Sequence, residues 1–82
     1  MKIYLDITNL MEVDFLTGIQ RVVREIAVRF LRDERLEMNL LAYSETLNGF
    51  EFMNNRCFYD YFVYGRGKKE EIRSGKKCAV ID

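Results

Sequence analysis

The stretch of sequence that decides the fold runs from residue 17 to residue 31 and reads TGIQRVVREIAVRFL. Its apolar residues recur at intervals of three and four positions, which predicts one continuous apolar stripe along a helix. The stripe consists of Ile19, Val22, Val23, Ile26, Ala27, Phe30 and Leu31. Polar side chains fill the opposite side: Gln20, Arg21, Arg24, Glu25, Arg29 and Arg32. Thr17 and Gln20 match a capping box, so we expect the helix to begin at Thr17 and to end near Asp33.

A strand is predicted on each side of this helix. Residues 2–7 alternate between the two faces and are mostly β-branched or aromatic. Residues 38–43 are apolar apart from Asn39, as expected of a strand covered on both faces. A loop is predicted from Thr8 to Leu16. The β-α-β order favours a parallel sheet with a right-handed crossover.

The second half of the chain contains a predicted hairpin and a predicted final strand. Residues 44–49 end in Asn-Gly, which is a strong turn signal, and residues 50–53 form the returning strand. The aromatic segment 57–64 fits a helix or a strand equally well. Residues 65–75 are a loop or a short charged helix, and residues 77–82 are predicted to be a buried strand.

Composition limits the classes of function. The 82 residues make one domain at most, and 13 basic residues balance 13 acidic ones. A zero net charge argues against a dedicated binder of nucleic acid, since phosphate neutralisation needs surplus Lys and Arg. The chain has no histidine, and two cysteines 21 residues apart make no zinc site by themselves. We therefore expect no metal, reduced thiols and a cytoplasmic protein without a membrane span.

The chemistry is expected at the start of the helix. A strand, a loop and then a glycine at a helix N-terminus is how α/β folds present backbone N–H groups to an anion. Gly18 has no side chain, so it allows a ligand or a loop to approach the backbone closely. In open α/β sheets such binding occurs at the carboxyl ends of the strands.

The strings DITNL (residues 6–10) and TGIQRVVRE (residues 17–25) resemble the opening of bacterial group 1 glycosyltransferases, which belong to glycosyltransferase family 4. The resemblance covers residues 3–31 strongly and residues 38–53 loosely. It implies a partial Rossmann-like β-α-β unit from the N-terminal half of a retaining, two-domain GT-B enzyme, followed by a hairpin and a final strand. The histidine usual in that half and the E-x₇-E motif of the second domain do not occur here. Residues 1–82 are therefore expected to be a single, incomplete subdomain.

The resemblance also implies roles for particular residues and partners. Thr17, Gly18 and Ile19 would approach the donor diphosphate, and Arg21 would be a further anionic contact. The loop with Asn9 and Asp14 would lie on the acceptor side. The donor would be a nucleotide sugar acting as co-substrate, with no cofactor. The acceptor would be a glycan or lipid-linked molecule, and a C-terminal domain would bind the donor. The longer enzyme would work in polysaccharide synthesis, at the inner face of the membrane.

Two other functions are left open by the residues. One is a small α/β interaction module without catalysis. The other is an RNA-recognition module, whose first-strand and third-strand motifs resemble residues 3–10 and 48–53. Glu51 and the lack of a clear second amphipathic helix count against the RNA-binding alternative. Whatever its function, the chain alone is expected to be inactive and to self-associate through residues 57–64 and 77–82.

Overall fold

The computed structural model describes residues 1–13 and 17–79. The elements in chain order are β1 (Lys2–Asp6), α1 (Thr8–Glu12), α2 (Gly18–Leu31), β2 (Glu37–Ser44), β3 (Gly49–Met53), α3 (Asn55–Tyr64), a 3₁₀ turn (Lys69–Ile72) and β4 (Arg73–Lys77). The strands form one sheet in the order β1-β2-β3-β4. The α/β class predicted from the sequence is confirmed, as a mixed four-stranded sheet with three helices in the described part of the chain.

The first β-α-β unit and the hairpin form as predicted. β1 runs parallel to β2, with Leu5 opposite Leu40, and the Met1 carbonyl accepts a hydrogen bond from the Glu37 backbone at 2.8 Å. β2 and β3 are antiparallel, and the turn between them places Asn48 at a φ of 54°. Asparagine tolerates this left-handed conformation, which explains why Asn-Gly is a reliable turn signal.

All three helices pack on one face of the sheet. Residues from β2 and β3 that face this layer join residues of every helix in one core: Ile7, Leu10, Ala27, Val28, Met38, Leu40, Ala42, Met53, Phe58 and Ile72. No described helix covers the second face of β2, but Leu41 on that face is only 2% exposed, so the prediction of a strand covered on both faces is wrong at Tyr43 and not at Leu41. The opposite face carries Tyr4, Leu41, Tyr43, Phe50 and Phe52, which alternate with core residues along their strands. We call these five residues the open sheet face.

Helix α2 begins after the predicted cap Thr17 and ends at Leu31, two residues before Asp33, but its buried side is partly rotated from the predicted stripe. Ile19 and Val22, both in the predicted stripe, are 77% and 58% exposed, whereas Val28, outside the stripe, is only 5% exposed. Val23, Ala27, Phe30 and Leu31 of the stripe do pack against the core, so the buried side is displaced around the helix by less than one residue, or roughly 70°. The cause is α3, which lies against the side of α2 that bears Arg24, Val28 and Arg32.

The predicted loop from Thr8 to Leu16 is partly helical, so that prediction is wrong for residues 8–12. Asp6 Oδ1 accepts a hydrogen bond from the Thr8 backbone N–H at 2.9 Å, and the Met11 N–H donates to the Ile7 carbonyl at 3.1 Å. Ile7 and Leu10 are fully buried, and their burial holds this single turn against the core. A helix of five residues is too short to show a period of 3.6 in sequence.

The aromatic segment is a helix, and the final strand follows it after the 3₁₀ turn. α3 begins at the Asn54 cap, whose side chain accepts from the Cys57 N–H, and ends at Gly65 in the left-handed conformation. Phe58 is fully buried. The final strand was predicted at residues 77–82 but lies at Arg73–Lys77, followed by Cys78 and Ala79 outside the strand. Residues 80–82 of the predicted strand lie outside the described residues.

A buried carboxylate fixes this final strand. The pairing of β3 with β4 contains a bulge. Glu51 pairs with Lys77 and Met53 pairs with Arg73, so an advance of two residues along β3 corresponds to four residues along β4. The Glu51 side chain, 5% exposed, fills the bulge and accepts hydrogen bonds from Arg73 Nη1 at 2.9 Å and from the Gly75 N–H at 2.6 Å. Gly75 has a φ of 77°, which glycine adopts without strain. The charged run RSGKK therefore forms a strand because Glu51 binds it.

Candidate functional site

The start of α2 lies at the carboxyl edge of β1 and β2. The two parallel strands begin together, with Met1 beside Glu37, and both run toward the edge where β1 leads into α1. Since α2 precedes β2, its 14 residues, Gly18–Leu31, return the chain from that edge to the start of β2. Its first residues therefore lie where open α/β sheets bind ligands.

Thr17 and Gln20 form the capping box that the sequence predicts. In this box the Thr17 backbone N–H donates a hydrogen bond to Gln20 Oε1 at 2.8 Å. The Thr17 hydroxyl donates to the same oxygen. The first backbone N–H groups of any helix have no hydrogen-bond partner within the helix, and the capping box provides a partner for only some of them.

Gly18, Ile19 and Arg21 are all exposed. A Cβ built on Gly18 would meet no atom within 4 Å, so packing within the described residues does not require glycine there. The Arg21 side chain forms no ion pair or hydrogen bond among the described residues. The structure thus presents Thr17, Gly18, Ile19 and Arg21 together on one accessible end of a helix.

The residues expected on the acceptor side are only partly described. Asn9 is exposed, but it lies on helix α1 rather than on a loop. Asp14 lies outside the described residues. Beside Asn9, the Tyr43 backbone N–H donates to Thr8 Oγ1 at 2.9 Å, and the Thr8 hydroxyl donates to Asp6 Oδ1. Asp6 therefore braces the end of β1 against the end of β2.

Charged groups at the other end of α2 are paired with neighbouring side chains. Arg32 Nε donates to the Tyr59 hydroxyl at 2.6 Å, and this bond raises the pKa of the exposed Arg32 guanidinium. Arg35 binds both oxygens of Asp33, at 3.1 and 3.0 Å, and this pairing lowers the pKa of Asp33. The described residues contain no group of three or more His, Cys, Asp or Glu side chains that could hold a metal ion.

The open sheet face is a feature that reasoning from the sequence missed as a unit. Tyr4 and Tyr43 are 37% and 42% exposed, and Tyr43 meets Phe50 edge to face at 6.0 Å between ring centroids. The alternation of residues along each strand assigns each side chain to a face of the sheet. The register between strands, which brings the aromatic residues of three strands together, is not visible in the sequence.

This face bears on the RNA-binding alternative. Two objections to it are wrong: Glu51 is buried on the other face and paired with Arg73, and α3 is a second packed helix. The order of the strands in the sheet, however, differs from that of an RNA-recognition module. A split β-α-β arrangement places another strand between its parallel pair. Here β1 and β2 are adjacent.

Comparisons with known proteins add no relative. No protein-family model, curated protein or solved structure matches this chain. The resemblance to glycosyltransferases therefore rests on the residues quoted above. Among residues 1–13 and 17–79, no helix has the length and apolar character needed to cross a membrane.

Proposed function

We propose that this chain is the N-terminal part of a retaining, two-domain glycosyltransferase of the GT-B type. In that role, the start of α2 approaches the diphosphate of a nucleotide-sugar donor, and α1 with Asn9 lies on the side of the glycan or lipid-linked acceptor. The enzyme acts in the cytoplasm at the inner face of the membrane. A C-terminal domain supplies most of the donor site.

One observation carries most of the proposal: Gly18 opens α2 with no neighbour within 4 Å of a built Cβ, at the carboxyl edge of two parallel strands. A glycine that packing does not require is suited to close approach by a phosphate. The unpaired Arg21 is one helical turn further along α2 and supplies a positive charge. Stabilising the leaving diphosphate in this way is electrostatic catalysis and needs no protein nucleophile.

The test uses residues 1–82 labelled with ¹⁵N and titrated with UDP and with pyrophosphate. We expect millimolar binding, about −4 kcal/mol, with shifts of the backbone amides of residues 17–21. Gly18→Ala should abolish these shifts without loss of stability, because the added methyl group meets no atom. Glu34→Gln is a matched exposed control that should change nothing. If neither ligand shifts residues 17–21, the proposal fails.

Activity gives a second check. Residues 1–82 alone should transfer no sugar and hydrolyse no nucleotide sugar, since in this proposal most of the donor site lies in a second domain. Sustained turnover of UDP-glucose by the purified 82-residue protein would contradict this expectation.

The second candidate, a non-catalytic interaction module, is favoured by the exposed apolar side of α2. Ile19, Val22 and Ile26 are 77%, 58% and 39% exposed and lie beside Arg21 and Arg29. Self-association is the simplest use of such a surface, and it would add this side of α2 to residues 57–64, where Phe58 is buried but Tyr64 is 58% exposed. Sedimentation equilibrium of the protein and of Val22→Glu tests it. A monomer at every concentration excludes self-association.

A further inference from the structure

A shallow groove lies at the edge of the sheet opposite the start of α2. It is bounded by the beginning of β2, the end of β3, the beginning of α3 and the exposed strand β4, and encloses about 500 Å³. The buried Met38 and Met53 lie beneath it, and the half-exposed Phe52 forms part of its wall. This volume is within the range of sites for small molecules.

The charges around the groove have one sign. Arg56 and Lys76 line it, and no Asp or Glu does. Neither cation has an ion pair or a side-chain hydrogen bond within the described residues. Three other grooves of the described chain each combine cations with a carboxylate, from Glu25 in two of them and from Asp60 and Glu71 in the third.

The nearest carboxylate on β3 does not neutralise these cations. Glu51 is occupied by Arg73 and by the Gly75 N–H. The same bulge positions Lys76, whose backbone N–H donates to Ser74 Oγ at 3.1 Å while the Ser74 hydroxyl donates to the Phe52 carbonyl. The Glu51–Arg73 pair therefore leaves the groove's positive charge unchanged, and the Ser74 bonds fix the backbone of Lys76.

The polar wall contributes hydrogen-bond donors. Asn54 Oδ1 accepts from the Cys57 N–H, which leaves its amide N–H groups without a partner among the described residues. Asn39 has only a long bond, 3.4 Å, from its Nδ2 to the Glu37 carbonyl. Hydrogen-bond donors and two cations, together with the ring of Phe52, suit a phosphate attached to a ring that can stack on an aromatic side chain.

We propose that this groove binds a phosphate-bearing small molecule, with the phosphate between Arg56 and Lys76 and the attached ring on Phe52. Phosphorylated sugars and mononucleotides share this chemistry. The site is separate from the start of α2, so it stands whether or not the protein belongs to a glycosyltransferase.

The test is a titration of ¹⁵N-labelled protein with inorganic phosphate, glucose 1-phosphate and uridine 5′-monophosphate, at constant ionic strength. We expect the backbone amides of Asn55, Arg56 and Lys76 to shift with all three. Whichever of glucose 1-phosphate and uridine 5′-monophosphate binds more tightly has the ring that fits against Phe52, and this comparison separates a sugar site from a nucleotide site. Glucose and uridine, which lack phosphate, should produce no shift.

Variants decide whether the groove is responsible. Arg56→Gln and Lys76→Gln should each weaken binding about fivefold, the scale of one exposed charge pair. Lys68→Gln, an exposed cation in a groove that also holds carboxylates, is the matched control and should not change the affinity. All three residues are exposed, and the dispersion of the amide spectrum confirms that each variant is folded.

The proposal is overturned if phosphate produces no shift in the groove up to about 50 mM, well above the millimolar range. It is also overturned if the two groove variants bind as tightly as the Lys68 control. Shifts confined to residues 17–21 would support the proposed function instead and would count against this groove.

Discussion

Replacing Glu51 tests whether a buried carboxylate holds the last strand in place. Its side chain is 5% exposed and accepts two hydrogen bonds, from Arg73 Nη1 and from the Gly75 N–H. Bonds to a charged group contribute about 1.5–3 kcal/mol each, and breaking a fully buried pair costs about 3–5 kcal/mol. Because Arg73 is 34% exposed and can be rehydrated, we expect Glu51→Gln to cost about 2–3 kcal/mol.

This cost is measurable by urea or thermal unfolding followed by far-ultraviolet circular dichroism. For a chain of this size it corresponds to a fall in Tm of about 10–20 °C. Glu37→Gln is the matched control, because Glu37 is 64% exposed and lies 3.8 Å from its partner Lys2. That change should stay within about 0.5 kcal/mol of the unmodified protein.

A double variant shows whether the effect comes from the pair. Glu51→Met combined with Arg73→Met removes both charges and retains apolar volume, so it should be less destabilised than Glu51→Gln. If Glu51→Gln is as stable as the Glu37 control, the carboxylate does not hold β4, and the account of the bulge is wrong.

Three further predictions concern the helix start, the turn after α2 and nucleic acid. Thr17→Ala should cost about 1 kcal/mol in unfolding free energy by removing the cap, and unchanged thermal unfolding would show that Thr17 is not the cap. The lowered pKa of Asp33 means that its contribution is present above the ordinary value of 3.8 and is lost as the pH falls through the folded pKa. The Tm advantage over Asp33→Asn at neutral pH should therefore vanish in acid; an advantage that persists there would refute this. Single-stranded RNA should bind no tighter than about 10⁻⁴ M, whereas salt-sensitive micromolar binding lost on Tyr4→Ala or Phe50→Ala would overturn the glycosyltransferase proposal.

Local patterns predicted the elements whose signals are contained within a few residues. The α2 bounds follow from a capping box and fourteen periodic residues, and the hairpin follows from Asn48-Gly49 between two apolar runs. α1 was missed because five residues cannot display a helical period. The predicted position of the final strand was wrong because the charged residues of β4 have the composition of a loop. They form a strand through their pairing with β3 and the hydrogen bond from Arg73 to Glu51.

The candidate site follows the same division. That Thr17, Gly18, Ile19 and Arg21 open a helix after a strand was readable from the sequence, and the structure adds that they are exposed. The groove of Arg56 and Lys76 could not be predicted, since these residues are twenty positions apart and meet only through the β3–β4 pairing. No local spacing rule connects them.

By itself, the sequence determined the class of the fold and the places where α2, β1, β2 and β3 begin, because periodicity, caps and turn residues act within a few residues of chain. Only the tertiary structure decided which side of α2 is buried. Both Ile26 and Val28 are apolar, but α3 packs against the side that bears Val28, and Ile26 remains 39% exposed. Which side of α2 is buried depends on the element that packs against it. That element is α3, and the sequence left undecided whether its segment is a helix or a strand.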